Sequence, residues 1–571
     1  MKKMTKMLAL MLAVIMILTM AACSSEKESS EPAEEAPAQQ SAPAEEAAPI
    51  EEAPVEEAAP EETAYAKVVY ELPLFEETKT LTAFYALRGS INGSMPNRDD
   101  LEFWKITQDK LNVDVVFQEP GEAVVSEKYN LMVASGDMTD LIFENMIVSM
   151  GSSSAYNGGF DKAIADDVYV DLMDYVEEYA PNYAYYILGD PANRKNAVTD
   201  EGHLATFLQI YSEKQLNNMG NVVNTDHFEA TGLELPTTIS EWMDVYAAMA
   251  DNGVKYPVEV SSTGAILQGS FANAMGASIA TGFMISAETE DFVFGPTTDE
   301  TREYIELFRE LNRKGWMHPD WMNINAMDRT LFNNGEVSTR SMMINEITVY
   351  EDMYGIPVQA LPVVCREGFD GNKTAMGSLG DALATATGGV AISTVCEDIE
   401  TAMKFMDFFY SDEGADAANM GWEEGLVFEI VDGEKRITTR YQEKNENDVE
   451  FKNLYTHDGD FALCYPNMRY DIATEDEKKM YDMWAADTTN EAAIYYSLPQ
   501  AIALTSEESE SITSALTDLE TYVETTVFSW LALETELTDA AWEEFKATCE
   551  SMRLDEIRET YEAAYQRYVE K

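Results

Sequence analysis

The sequence predicts an α/β fold, and three observations carry that reading. Alternating or β-branched runs at residues 80–87, 112–117 and 140–143 read as strands. The two stretches between them place apolar residues on one helical face. Strands and helices therefore alternate, and a βαβαβ order implies a parallel sheet with right-handed crossovers. After the first strand comes a polar loop, residues 88–96. Asp99 and Asp100 can then cap a helix that carries Leu101, Trp104 and Leu111 on one face. Residues 112–117 form the second strand. A helix through Lys128, Leu131 and Met132 ends at Ser135-Gly136, where glycine suits a C-cap. Residues 140–143 complete the unit. Ligands of such sheets lie beyond the carboxyl ends of the strands. Arg88 and Asn92 in the first loop, and Glu144 and Asn145 after the third strand, are thus candidate ligand contacts. Arg88 and Glu144 have an alternative role, pairing with each other at the sheet edge.

Charge and length bound the function. The 571 residues hold 38 Lys plus Arg against 104 Asp plus Glu, a formal charge of −66. So acidic a surface repels phosphate backbones and anionic headgroups, which excludes nucleic-acid partners and any basic membrane patch. With 46% hydrophobic and 11% aromatic residues, most of the chain can bury a core. The first 22 residues read as an export signal: Lys2, Lys3 and Lys6 precede an apolar run too short to span a bilayer. Leu18-Thr-Met-Ala-Ala-Cys23 follows, and small residues before a cysteine resemble a bacterial lipobox. Cys23 is then the lipidation site, tethering the protein to the outer face of the cytoplasmic membrane. Residues 24–64 hold 13 Glu and six Pro against one Lys. That composition makes an extended, disordered spacer, assigned to residues 23–66.

No catalytic motif stands out. The sequence has no G-x-S-x-G elbow, no P-loop, no G-x-G-x-x-G, no C-x-x-C and no H-x-x-x-H. Cys365, Cys396, Cys464 and Cys549 allow zero, one or two disulfides, with buried thiols the expected state. Residues 370–374 and 457–460 are too incomplete to count as calcium loops. The reading includes no cofactor, no metal and no enzyme activity.

The body resembles the extracellular solute-binding proteins of carbohydrate ABC importers. The opening strands with Tyr129-Asn-Leu-Met-Val-Ala-Ser-Gly-Asp137 carry the likeness first. Gly232-Leu-Glu-Leu-Pro-Thr-Thr-Ile-Ser-Glu-Trp242 is similar to the segment where those proteins start a helix after a Pro-Thr turn. Phe332-Asn-Asn-Gly-Glu-Val337 resembles a motif leading into a strand at 341–344. Asn419-Met-Gly-Trp-Glu-Glu-Gly425 resembles their Gly-rich binding loop, with one residue more than the usual pattern. Residues 542–546 and 564–568 match closing helices of the lipoprotein branch. The resemblance covers residues 78–571.

It implies a two-lobe periplasmic-binding-protein-like fold of type II, whose hinge the chain crosses more than once. Lobe 1 is placed at 78–202 and 376–430, lobe 2 at 203–375 and 431–571. It also implies a monomer that captures a sugar in the interlobe cleft and delivers it to permease subunits. Sugars offer flat apolar faces flanked by hydroxyls, so aromatic platforms and polar side chains suit them. Phe271, Asn345, Glu346, Trp422 and Glu423 are the candidates in loops expected at the cleft. Trp422 has two readings: an outward stacking platform, or a buried anchor fixing its loop to lobe 1. The extra residue leaves open whether Glu423 or Glu424 serves. Leu554, Ile557, Tyr561, Tyr565 and Tyr568 share a helical face and read as core. Rival functions are an exported glycan-active enzyme, a surface adhesion module, or a receptor for a peptide or amino acid. The adhesion reading predicts repeats, and none is seen.

Overall fold

The expected βαβαβ unit is present. In the computed structural model, β1 (Lys79–Phe84) pairs in parallel with β2 (Val113–Gln118) and with β3 (Leu141–Phe143). Residues 65–86, 97–145, 147–148, 154–260, 270–324, 328–369, 373–379, 382–431, 433–438, 454–457, 461–485 and 492–571 are described. The signal, the lipid site Cys23, the spacer to residue 64, and the loop with Arg88 and Asn92 lie outside them. Helix α1 (Glu102–Leu111) buries Phe103, Trp104, Thr107 and Leu111, a one-sided set that seats it on the sheet. Left-handed Asn112 ends α1, and left-handed Gly136 ends α2 (Val125–Ser135). Asp99 and Asp100 do not cap α1. They sit in a 3₁₀ turn, Arg98–Asp100, because the wholly buried Arg98 pulls the backbone inward before the helix opens.

Two more strands, β4 (Thr206–Phe207) and β12 (Val390–Ile392), complete this sheet in the order β2-β1-β3-β12-β4. β12 is antiparallel to both β3 and β4, so the sheet is mixed. The strand expected at 388–393 thus falls in the first lobe. Its core joins Leu81, Trp104, Phe143, Phe207, Phe409 and Phe461. A second core gathers Trp242, Tyr246, Tyr304, Trp530, Trp542 and Phe545. Each fully buried apolar side chain contributes about 1.5–3 kcal/mol, so both halves carry their own driving force. In the second lobe β6 (Met219–Asn224) lies antiparallel between β9 (Thr339–Met343) and β10 (Val358–Ala360). A four-stranded sheet joins β11 (Met376–Ser378), β16 (Tyr495–Ser497), β7 (Phe283–Ser286) and β8 (Phe292–Phe294) in that order. Around them pack α5 (Ile239–Asp251), α6 (Asp299–Arg313), α10 (Ser506–Leu531), α11 (Asp539–Ser551) and α12 (Leu554–Glu570). Thr238 and Glu241 form a capping box, so α5 starts where the Pro-Thr turn placed it.

The chain crosses between lobes three times, side by side. β5 (Ile210–Tyr211) pairs in parallel with β15 (Leu463–Cys464), and Ile210 bridges Ala384 antiparallel. Tyr211 N donates to Leu383 O at 2.9 Å. Asn467 links two crossings, accepting from Leu216 N at 2.8 Å and donating to Lys214 O at 2.9 Å. On α4 (Pro191–Ala197), Asn193 Oδ1 accepts from Leu383 N at 2.7 Å and Ala384 N at 2.8 Å. These bonds make the crossings one ribbon.

The crossings differ from the sequence expectation. Leu204, Phe207 and Ile210, with Phe461–Leu463, pack in the first core rather than the second. Met376–Ser378 pairs with β16 of the second lobe rather than joining the first. The folded body also begins before residue 78: Tyr65, Tyr70 and Phe75 pack on the first core, and Tyr70 OH donates to Asp407 Oδ2 at 2.5 Å. On α12, Leu554 and Ile557 are buried and Tyr561 and Tyr565 pack on the second core. Tyr568 instead lies under Lys195 of the first lobe, 5.8 Å from its ring. The four cysteines after Cys23 are buried and form no disulfide. Among the described residues, no helix is long and apolar enough to cross a membrane.

Candidate functional site

The carboxyl ends of β1 and β3 carry an unusual concentration of buried polar groups. Glu144 follows β3 and has no solvent exposure. Its Oε1 accepts from Tyr169 OH at 2.5 Å and from Ser154 OH at 3.0 Å, and Tyr169 OH meets Tyr129 OH at 2.6 Å. Burial pushes the Glu144 carboxyl up to about 7, against the pull of bonds from Tyr169, Ala155 N and Ser154. Its described partners are hydroxyls and an amide, not a cation. Asn145 accepts a hydrogen bond from Gly389 N. A Cβ on Gly388, at φ +70°, would lie 2.2 Å from Asn145 Oδ1, so glycine is required where β12 begins. Asn145 therefore clamps β12 against β3.

Arg98 is a wholly buried charge that the sequence does not mark. Its guanidinium stacks 3.3 Å from the Tyr85 ring centroid, and Tyr85 stacks on Phe143 at 3.9 Å. Nη2 donates to Ala86 O at 2.8 Å, and its own N–H donates to Glu119 Oε1 at 2.7 Å. This stack lies where the chain leaves β1, next to residue 86. Nothing local in the sequence marks it, because its partners lie just beyond the ends of two strands, β1 and β2.

A second buried charge cluster lies in the other lobe. Residues 256–260 run beside β9, where Tyr256 bridges Val337 in parallel, and lead into residues 261–269. Glu259 Oε1 sits 3.7 Å from Arg340 Nη1, with the Arg340 side chain 4% exposed. Burial raises the Glu259 carboxyl to about 7, while Arg340 and Arg329 pull it down. Arg329 is ion-paired with Glu346. Asn345 and Glu346 lie in the first turn of α7 (Ile344–Tyr354), because β9 ends at Met343. Glu346 Oε2 accepts from Met343 N at 3.3 Å, so this predicted ligand contact caps its own helix. Sequence reasoning reached Asn345 and Glu346 but missed Glu259 and Arg340.

The expected aromatic platforms are placed otherwise. Phe271 has no exposure and packs against Trp242 at 5.6 Å and Tyr246 at 6.5 Å, a core position. Trp422 follows α9 (Asp412–Met420), half-buried, with Nε1 donating to Thr107 Oγ1 on α1 at 2.8 Å. Phe408, at the end of α8 (Ile399–Phe408), lies parallel to it at 6.0 Å, and Lys110 Nζ is 5.1 Å from its ring. This is the anchoring arrangement, not the outward one. Its loop turns at Gly421 (φ +81°), where a Cβ would meet Tyr455 O at 2.7 Å. Glu423 is exposed, and Glu424 accepts from Ile430 N at 3.2 Å in the hairpin of β13 (Phe428–Val431) and β14 (Glu434–Ile437).

The profile of the bacterial extracellular solute-binding protein family matches residues 100–416. Among solved structures, an HMO-binding ABC-transporter-associated solute-binding protein from Bifidobacterium longum infantis aligns over 86% of this chain and 99% of its own. Identity is 16% and the TM-score 0.66. The alginate-binding protein AlgQ2 is 14% identical over 86% of this chain and 99% of its own, with a TM-score of 0.65. FusA of S. pneumoniae, solved with kestose, is 16% identical over 86% of this chain and all of its own, with a TM-score of 0.64. At such identities the likeness shows a shared two-lobe fold. No curated protein matches the sequence.

Proposed function

Since the chain belongs to the bacterial extracellular solute-binding protein family, we propose that it captures an oligosaccharide between its lobes and delivers it to an ABC importer. The observation that carries this reading is the pair of separately cored α/β lobes joined by three hydrogen-bonded crossings. That architecture lets a ligand held by both lobes select the closed form. The solved structures of an HMO-binding protein, an alginate-binding protein and a protein in complex with kestose support a glycan as the ligand class. In this reading Arg88, Asn92, Glu144 and Asn145 serve the first lobe, with Asn345, Glu346, Glu259 and Arg340 in the second. Lipidation at Cys23 holds a monomer at the outer face of the cytoplasmic membrane. No bond in the ligand is broken.

A melting-temperature screen against neutral and acidic oligosaccharides tests the proposal, because a ligand bound only by the native state raises stability by mass action. One glycan class should raise the melting temperature and be recovered intact. No response to any glycan, or steady release of cleaved product, overturns it. Cys23→Ser should move the protein out of the membrane fraction; continued detergent-sensitive association would remove the lipid anchor.

A further inference from the structure

β4 runs parallel to β3, since both are antiparallel to β12, with Val390 level with Phe143 and Phe207. The turn before β4 therefore lies at the opposite end of the sheet from Glu144. This turn is stiff. Val198 bridges Leu204, Thr199 N donates to His203 O at 2.9 Å, and His203 N donates to Thr199 Oγ1 at 3.1 Å. It presents Glu201 and His203 to Asp161 on α3 (Gly159–Ala165), and donor atoms of the three lie within 4.8 Å of one another.

The histidine is held by a fourth carboxylate. His203 Nδ1 is 2.6 Å from Asp171 Oδ2, while Asp171 Oδ1 accepts from Met173 N and Leu204 N, both at 3.0 Å. Asp171 is thus fixed and accepts from Nδ1–H, so that in the neutral imidazole the lone pair is on Nε2, 3.8 Å from Glu201 Oε2. Metal-ligating imidazoles are commonly oriented in this way. Separately, Asp161 Oδ1 is a buried atom with no hydrogen-bond partner among the described residues, although Thr199 of the turn bonds to the carboxylate group. A buried carboxylate oxygen in that condition calls for a cation or water.

We infer that Asp161, Glu201 and His203 bind one first-row divalent cation, with zinc the best match. Two carboxylates and one imidazole, with a fourth position for water, form a donor set that zinc accepts. Bonds near 2.1 Å at tetrahedral angles put donors about 3.4 Å apart, so the three need to close by roughly 1 Å. Calcium prefers six to eight oxygens, so the imidazole disfavours it. The ion staples α3 to the turn before β4, away from the sugar-facing end. The site stands independently of the proposed ligand.

Titration calorimetry on the chelator-stripped full chain should show one equivalent of zinc bound at least tenfold tighter than calcium. Cobalt(II) should give the intense visible bands of tetrahedral coordination, a direct readout of the geometry of the site. His203→Gln and Asp161→Asn should each weaken zinc binding at least tenfold and erase those bands, while circular dichroism confirms their fold. Asp171→Asn should weaken it in the roughly 10–100-fold range of a lost orienting partner. Absence of saturable one-equivalent binding, equal affinity for calcium, or undiminished binding by His203→Gln would each overturn the site and leave His203 as an imidazolium paired with Asp171.

Discussion

Glu144 shows how a single buried acid couples stability to pH. Its carboxyl is raised to about 7 chiefly by burial, so folding favours its protonated form. The stabilisation is fully present below the ordinary carboxylate range and is lost as pH rises through about 7. The amount at stake for a rise from 4.5 to about 7 is about 3 kcal/mol. Glu259, also held near 7 by burial, acts in the same direction. Glu144→Gln keeps the shape without the charge, so its melting temperature should fall less between pH 5 and pH 8 than the wild type's. Identical pH profiles would remove Glu144 as a source of the dependence. Trp422 separates packing from binding. Its indole is bonded to Thr107 and parallel to Phe408, so Trp422→Ala should cost about 3 kcal/mol of stability. Affinity for the glycan found by screening should stay within twofold, measured by titration calorimetry; a tenfold loss would restore the platform role. At this scale the sequence was least legible. Arg98, Glu259 and Arg340 look like ordinary surface residues until their partners, strands away, enclose them.

The hinge ribbon is where elements, rather than residues, decide behaviour. Its strands β5 and β15 are two residues each, and Ile210 pairs with Leu463 far along the chain. Segments so short have no period to read, so the sequence does not mark the crossings, whereas β1 to β3 are legible in it. Those first strands carry their own alternation, and their helices end at residues suited to left-handed backbone, Asn112 and Gly136. The start of α5 was legible for the same local reason, its Thr238–Glu241 capping box. By contrast, the Asp99-Asp100 cap failed because Arg98 is fixed by Ala86 and Glu119. Asn193 tests the ribbon directly, since it is 2% exposed and accepts from two backbone amides of one crossing. Asn193→Ala leaves both amides buried without an acceptor, at about 1–3 kcal/mol each. A chemical denaturation curve should show a loss in that combined range. A change below about 0.5 kcal/mol would mean that the crossings do not depend on α4.

At the scale of the whole molecule, two lobes with separate cores move as units only if the ribbon between them bends more easily than either core deforms. The first core is knit by Trp104, Phe409 and Phe461, with Phe409 and Phe461 centroids 4.9 Å apart. The second is knit by Trp530, Trp542 and Phe545, with Trp530 and Phe545 5.2 Å apart. Such close-packed interiors transmit strain rather than absorb it. The ribbon holds two-residue strands and a handful of hydrogen bonds, so bending concentrates there. A clasp beside it sets the cost of that bending: Asp200 accepts from Arg567 Nε at 2.6 Å and Lys571 Nζ at 2.7 Å, across the two lobes. A ligand touching both lobes must supply enough differential affinity to move this equilibrium, and one touching a single lobe moves nothing. Small-angle scattering reads the outcome. With a formal charge of −66 the chains repel one another, so the measurement belongs at about 0.15 M salt, where the screening length is about 8 Å. The radius of gyration should fall when the glycan saturates the protein, while the circular-dichroism spectrum of the whole chain stays unchanged. An unchanged radius at demonstrated saturation would mean a rigid pocket within one lobe, and the two-lobe capture mechanism would fail.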